Sequence, residues 1–284
     1  MSCVWPRTMP ALITAFDADE NVDVDAHEHN LSVTVAAGAG GVLLAGSTGE
    51  GPYLEPGERE LLISISRRTF PDLTIMCGIS ADTDRRARSQ IAEATVGGAD
   101  AVLVMTPGTL VRNRHRHIID FYRRIADSSP LPIFLYTVPN VTGYELPADS
   151  VAELADHRNI SGMKDSGGDV SRLDTLSGIL GPEFIVYAGS SKALADSADR
   201  RAHGAITASA NYALPLVDSA RSGDRRAQAD LLEVSATVES HGVPGTKFAA
   251  SLAGMQPGAS RLPLQRLDAA AESHIAEAHQ KMRV

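Results

Sequence analysis

The chain has 284 residues, 43% of them apolar, and a net charge of −9, enough for one large or two medium domains and too acidic for a general nucleic-acid surface, though not for a local anion site. Two cysteines, Cys3 and Cys77, without zinc-like spacing, exclude a disulfide framework and lead to the expectation of a reducing cytoplasm. No apolar run approaches the roughly 20 residues of a membrane span, and the segment MSCVWPRTMP lacks the apolar stretch of a signal peptide.

Short apolar runs recur along the chain and are predicted as strands: 11–16, 41–45, 74–77, 101–105, 133–136, 160–164, 185–188 and 205–208. Most lack polar alternation, as expected of strands buried on both faces of a parallel sheet. Helices are predicted between them at 24–37, 56–70, 82–96 with Asp82 as cap, 114–128, 147–157, 170–180 and 191–201. Eight strand-then-helix units of even size predict an α/β fold, a (β/α)8 TIM barrel. A doubly wound sheet is the rival, disfavoured because no dinucleotide glycine fingerprint follows the first strand. The barrel is assigned to 1–211. Four further helices, at 212–222, 224–239, 247–253 and 265–282, form a C-terminal helical extension over 212–284, packed on the barrel.

In such a barrel, reactive side chains come from the C-terminal ends of strands. Only four of the 26 basic residues are lysines: Lys164, Lys192, Lys247 and Lys281. Lys164 closes an apolar run just before the turn Asp165-Ser166-Gly167-Gly168-Asp169. An amine, unlike guanidinium, loses its proton when desolvated and then attacks a carbonyl. The alternative is a lysine that ends a strand and pairs with Asp165. The second strand ends in Gly46-Ser47-Thr48-Gly49-Glu50, a tight turn suited to a carboxylate or phosphate, or simply a turn with hydroxyl-to-backbone bonds. The fifth ends at Tyr136, which can pass a proton or merely pack. The seventh ends in Gly189-Ser190-Ser191, another small, hydroxyl-rich turn. Lys164 and Tyr136 lie on consecutive strands, so their tips should be neighbours. Together these groups offer an amine, a proton donor and a substrate clamp.

The segments Thr14-Ala15-Phe16, GSTGE, YTVPNVTG, GMKD and GAITASAN at 204–211 carry a resemblance. The chain resembles the pyruvate-dependent class I aldolases, the family that includes dihydrodipicolinate synthase and N-acetylneuraminate lyase. The stretch NISGMKDSGGDVSR at 159–172, HGVPGTK at 241–247 and RLPLQRL at 261–267 are most similar to the 4-hydroxy-2-oxoglutarate aldolase branch. The resemblance implies an imine between Lys164 and a 2-oxo acid, and Tyr136 as acid and base passing protons through Ser47. Thr48 and the backbone at Gly46 and Gly49 would hold the substrate carboxylate. Ser166 would meet its far end, near Gly189, and the Ile206 backbone would face Lys164. It implies no metal and no diffusible cofactor, a small-molecule partner, and assembly as a homodimer or homotetramer. Two departures stand out. The synthase has an Arg in YNVPxRTG where this chain has Val141. The Tyr that the family carries after strand four, completing a neighbouring subunit's proton relay, is missing from Thr106-Pro107-Gly108-Thr109-Leu110. Thr109 would leave room there for substrate or water, and Arg112, Arg114 or His115 are candidates for its place.

The pairs His27/His29 and His115/His117 suggest a metal, but residues two apart on a helix do not share a face, so solvated faces are expected. Arg85-Arg86-Ala87-Arg88 reads as a helix surface. Lys192 and Lys247 are expected to begin helices and be exposed, with the alternative that Lys247 approaches the barrel from the helical extension, and Asp165 to cap the turn after Lys164. The leading expectation is thus a Schiff-base aldolase acting on a 2-oxo acid. Its alternatives are dihydrodipicolinate synthase, a 2-keto-3-deoxy sugar-acid aldolase, and a non-catalytic keto-acid-binding relative.

Overall fold

The computed structural model describes residues 5–282, so Cys3 lies outside the described residues. The strands are β1 (Thr8–Pro10), β2 (Gly41–Leu44), β3 (Thr74–Ile79), β4 (Ala101–Met105), β5 (Ile133–Thr137), β6 (Ile160–Asp165), β7 (Ile185–Ala188) and β8 (Gly204–Thr207). Around them run α1 (Val24–Ala36), α2 (Glu58–Thr69), α3 (Asp84–Gly97), α4 (His115–Ser128), α5 (Pro139–Thr142), α6 (Ala148–Ala155), α7 (Ser171–Thr175) and α8 (Leu194–Asp199). Four more helices follow β8: α9 (Leu214–Arg221), α10 (Arg225–Glu239), α11 (Gly242–Leu252) and α12 (Ala269–Lys281).

All strand pairs are parallel, in the order β1-β8-β7-β6-β5-β4-β3-β2. A bridge between Ala11 and Leu43 brings the first and last strands of that order together, so the sheet closes into the expected (β/α)8 barrel. The strands read as unbroken apolar runs because both their faces are buried. Met9, Leu43, Met76, Leu103, Phe134 and Ile206 fill the barrel interior. Their chain neighbours Val42, Leu44, Ile75, Cys77, Val102 and Leu135 pack outward under the helices. Period-two alternation is present, but it separates two apolar layers. Helix α9 packs on β1 and β8, and α10, α11 and α12 pack on one another.

Several boundaries differ from the sequence expectations. The first strand is Thr8–Pro10, not 11–16. Beyond Pro10 the Asn211 side chain takes over: it accepts the Ile13 N–H at 3.1 Å and donates to the Ala11 carbonyl at 2.8 Å. Helix α3 is capped by Thr83, whose hydroxyl accepts the Arg86 N–H. Asp82 turns away to accept the Gly108 N–H at 3.1 Å. Helix α7 is one turn where 170–180 was predicted, since Ser177 and Ile179 bond back three residues, to Asp174 and Leu176. The segment 191–201 splits into a 3-10 turn and α8. Helix α11 begins at Gly242, which moves Lys247 from a helix start to its middle. Among the described residues no helix is long and apolar enough to cross a membrane.

Candidate active site

Parallel register decides which side chains meet. Tyr136 on β5 is level with Lys164 on β6, and Lys164 with Tyr187 on β7. Residues level across a parallel ladder point to the same face, here the barrel interior. Lys164 Nζ sits 4.7 Å from the centre of the Tyr136 ring. Both residues are buried, at 5% and 4% exposure, so the pair is nearly dry. Burial by itself would raise the Tyr136 phenol. The Lys164 charge, with hydrogen bonding from Ser47, Ser166 and Lys164, outweighs that and holds the phenol below the ordinary tyrosine value. The Ser47 contact is loose, because its buried Oγ has no partner of good hydrogen-bond geometry. A phenol lowered in this way gives up its proton more readily than an ordinary tyrosine, which suits it to proton exchange.

Gly189 explains how the amine has room. A Cβ built there would lie 2.8 Å from Lys164 Cε and would also run into Ser166 Oγ. Asp165 is committed elsewhere: one oxygen accepts the Gly167 N–H at 2.8 Å, the other pairs with Arg172 Nε at 2.6 Å. It shapes the turn after Lys164, as expected.

The turn after β2 is bent by two residues in the left-handed region, Ala45 (φ 52°) and Glu50 (φ 55°). Its hydrogen bonds run from the Glu50 and Gly51 N–H groups back to the Ser47 and Gly46 carbonyls. No acceptor among the described residues takes the Ser47, Thr48 or Gly49 amides. Adjacent free N–H groups in a turn form a concave site for an anion. Gly49 is required by close packing: a Cβ there would sit 2.7 Å from the Leu12 carbonyl oxygen. Its own carbonyl accepts the Thr14 hydroxyl at 2.6 Å. Ile206 is fully buried in the interior layer. The fold thus gathers Lys164, Tyr136, Ser47, Ser166, Gly189 and Ile206 on one barrel mouth, with the Gly46–Glu50 turn beside them.

Where the strand-four tyrosine is missing there is a cavity of about 450 Å³, lined by Ser80, Asp82, Arg86, Thr106, Thr109 and Arg112. Arg112 donates from Nε to the Gly108 carbonyl at 3.1 Å. His115 is taken by the Tyr144 hydroxyl at 2.7 Å, and Arg114 flanks α4. Of the three candidates, Arg112 lines this space.

Two expectations are corrected. Lys247 is buried, not exposed, and is paired with Glu50 at 2.6 Å. His27 is buried too: its Nε2 lies 2.9 Å from Ser66 Oγ, and burial lowers its pKa to about 4. Lys192 is exposed, as are Arg85, Arg86 and Arg88. Among the described residues no three His, Cys, Asp or Glu converge as a metal-binding group. Sequence reasoning named HGVPGTK and RLPLQRL only as motifs. The hints that Lys247 mattered were the scarcity of lysine and its place in the helical extension, from which it could approach the barrel.

Known proteins match this chain along its length. The dihydrodipicolinate synthetase family matches residues 5–281. A DapA-like lyase of Halobacterium salinarum is 32% identical over 289 residues, covering 95% of this chain and 92% of that protein. A 4-hydroxy-tetrahydrodipicolinate synthase of Methanospirillum hungatei is 32% identical over 275 residues, covering 92% and 94%. Among solved structures, a dihydrodipicolinate synthase family protein from Coccidioides immitis superposes with a TM-score of 0.86 at 26% identity, covering 98% of this chain and 95% of the other.

Proposed function

This chain belongs to the dihydrodipicolinate synthetase family, whose members are carbon–carbon lyases, and we propose that within it the protein is a Schiff-base aldolase cleaving a 4-hydroxy-2-oxo acid, with 4-hydroxy-2-oxoglutarate the first candidate. The observation that carries this reading is the buried Lys164–Tyr136 pair, level on adjacent strands with Nζ 4.7 Å from the ring. The Lys164 amine attacks the C2 carbonyl, Tyr136 protonates the departing hydroxyl, and water leaves an iminium. The C4 hydroxyl then loses its proton and the C3–C4 bond breaks, its electron pair moving into the iminium. Glyoxylate departs and an enamine remains. Protonation at C3 and hydrolysis release pyruvate and restore the amine. Thr48 and the free amides of the Gly46–Glu50 turn hold the substrate carboxylate, and Ser166 meets the distal end. No diffusible cofactor enters the scheme. We take the working form to be a homodimer or homotetramer.

Dihydrodipicolinate synthesis is the second reading, favoured by the names of several relatives. Against it, Val141 stands where the synthase carries its carboxylate-binding Arg. Val141 is 61% exposed and borders the cavity beside Arg112.

Borohydride trapping with pyruvate, followed by peptide mapping, tests the chemistry. The expected result is a reduced adduct on Lys164, release of glyoxylate from 4-hydroxy-2-oxoglutarate, and negligible condensation with aspartate semialdehyde. Pyruvate binding without an adduct would replace the enzyme reading with that of a keto-acid-binding relative.

A further inference from the structure

We propose that Lys247 and Arg261, both outside the barrel strands, are positioning residues for the substrate carboxylate, acting through Glu50 on the turn that carries Ser47 and Thr48. The inference rests on the reading of that turn as the carboxylate site.

Glu50 is the last residue of the turn, and its side chain is fully buried. Lys247, from α11, reaches it with Nζ 2.6 Å from Oε1 and donates to the Ala259 carbonyl at 2.7 Å. The Arg261 N–H donates to the other carboxylate oxygen at 2.9 Å. The Arg261 side chain is itself pinned, with two bonds of 2.6 Å to the Glu58 carboxylate and one of 2.7 Å to the Tyr53 carbonyl. Phe16 lies under both cations, its ring centre 4.8 Å from Lys247 Nζ and 4.2 Å from Arg261 Cζ. Two residues earlier, Thr14 holds the Gly49 carbonyl.

Stability alone gives little reason for this arrangement. Desolvating two ions can cost as much as their attraction returns, and an apolar pair of similar volume is often at least as stable. What an ion pair adds over an apolar pair is direction. Glu50 is in the left-handed region; one of its oxygens is held by the Arg261 N–H, and the other lies in ion-pair contact with Lys247 without the geometry of a hydrogen bond. Its main chain therefore has one orientation, and the Ser47, Thr48 and Gly49 amides follow from it. Burial pushes the Lys247 amine below its ordinary value, and the Glu50 carboxylate opposes that shift.

The test is the double variant Lys247→Met with Glu50→Gln, which leaves no unpaired buried charge. Borohydride trapping is titrated with pyruvate and, separately, with hydroxyacetone, which has a carbonyl but no carboxylate. The half-saturating pyruvate concentration should rise roughly 10–100-fold, the scale of a small misplacement of a binding group. The limiting adduct yield on Lys164 and the hydroxyacetone titration should stay near wild type. Should the double variant fail to fold, Arg261→Gln is expected to shift pyruvate in the same direction by a smaller factor. An unchanged pyruvate titration, or an equal loss for both ketones, overturns the proposal. Absence of any adduct in the wild-type protein would instead remove the functional reading on which it rests.

Discussion

Lys164 and Lys247 are both buried, both lie over an aromatic ring, and differ by only 0.1 Å in distance from it, 4.7 Å against 4.8 Å. Their remaining partners separate them. Lys247 has a carboxylate at 2.6 Å and a carbonyl at 2.7 Å, a set that holds an ammonium and leaves nothing to react. Lys164 faces a phenol whose own proton is loosened, a glycine that leaves space, and a carboxylate, Asp165, already taken by Arg172. Burial therefore does not mark a lysine for chemistry. A titratable partner and free volume do.

Truncating the two lysines should break the likeness most sharply. Lys164→Ala is expected to abolish the trapped adduct and turnover while costing less in thermal unfolding than loss of Lys247, because no carboxylate is in ion-pair contact with Lys164 and only the more distant Glu239 feels its charge. Lys247→Ala leaves Glu50 buried and unpaired, a change of roughly 3–5 kcal/mol in other buried pairs, yet its folded fraction should still form the Lys164 adduct. Turnover in the Lys164 variant would sink the imine mechanism.

Tyr136→Phe keeps the ring under Lys164 and removes only the hydroxyl. Imine formation, followed by stopped-flow trapping, should slow by roughly 10²–10⁴, the usual scale for a general acid. An unchanged rate would pass the proton-donor role to another group. Gly189→Ala fills the space instead of removing a proton. Its Cβ would sit 2.8 Å from Lys164 Cε and would also meet Ser166 Oγ, and a displaced nucleophile should lower kcat by roughly 10².

How much of this was legible in the sequence depended on range. Lys164 and Tyr136 were paired correctly because adjacent strands of a parallel barrel fix their relative height, so local apolar runs sufficed. Gly189 was read only as part of a small, hydroxyl-rich strand end, and the space it leaves for Lys164 was not foreseen. Lys247 was misread because its partner, Glu50, is remote in the chain and nothing in HGVPGTK names it. Asp82 was read as a cap because a local rule favours it, while Thr83 caps α3 and Asp82 serves the loop after β4. The first strand was displaced because Asn211, from beyond the last strand, takes the backbone groups of Ala11 and Ile13. In these three cases a long-range polar contact overrides a local pattern, whereas α7 stops short for a local reason, its bonds closing over three residues.

His27 supplies the third case, a buried ionisable group with neither a carboxylate in contact nor a reaction to perform. Its Nε2 meets Ser66 Oγ at 2.9 Å and its Nδ1 has no hydrogen-bond partner. Burial is the largest cause of its shift from 6.5 to about 4, and a backbone bond to Leu62 and the Glu28 charge oppose it weakly. The folded state thus prefers the neutral ring. A depressed folded value contributes stability that is complete above the unfolded value of 6.5 and is lost as pH falls through about 4. Between pH 7 and 4.5 the loss from this one ring should be about 2 to 3 kcal/mol. Denaturant unfolding of wild type and His27→Gln at both pH values isolates it: the variant should lose less stability on acidification by that amount. Equal losses would mean that the ring takes up its proton without leaving its site, and that burial alone, without the partner, does not set the charge state of buried groups in this barrel.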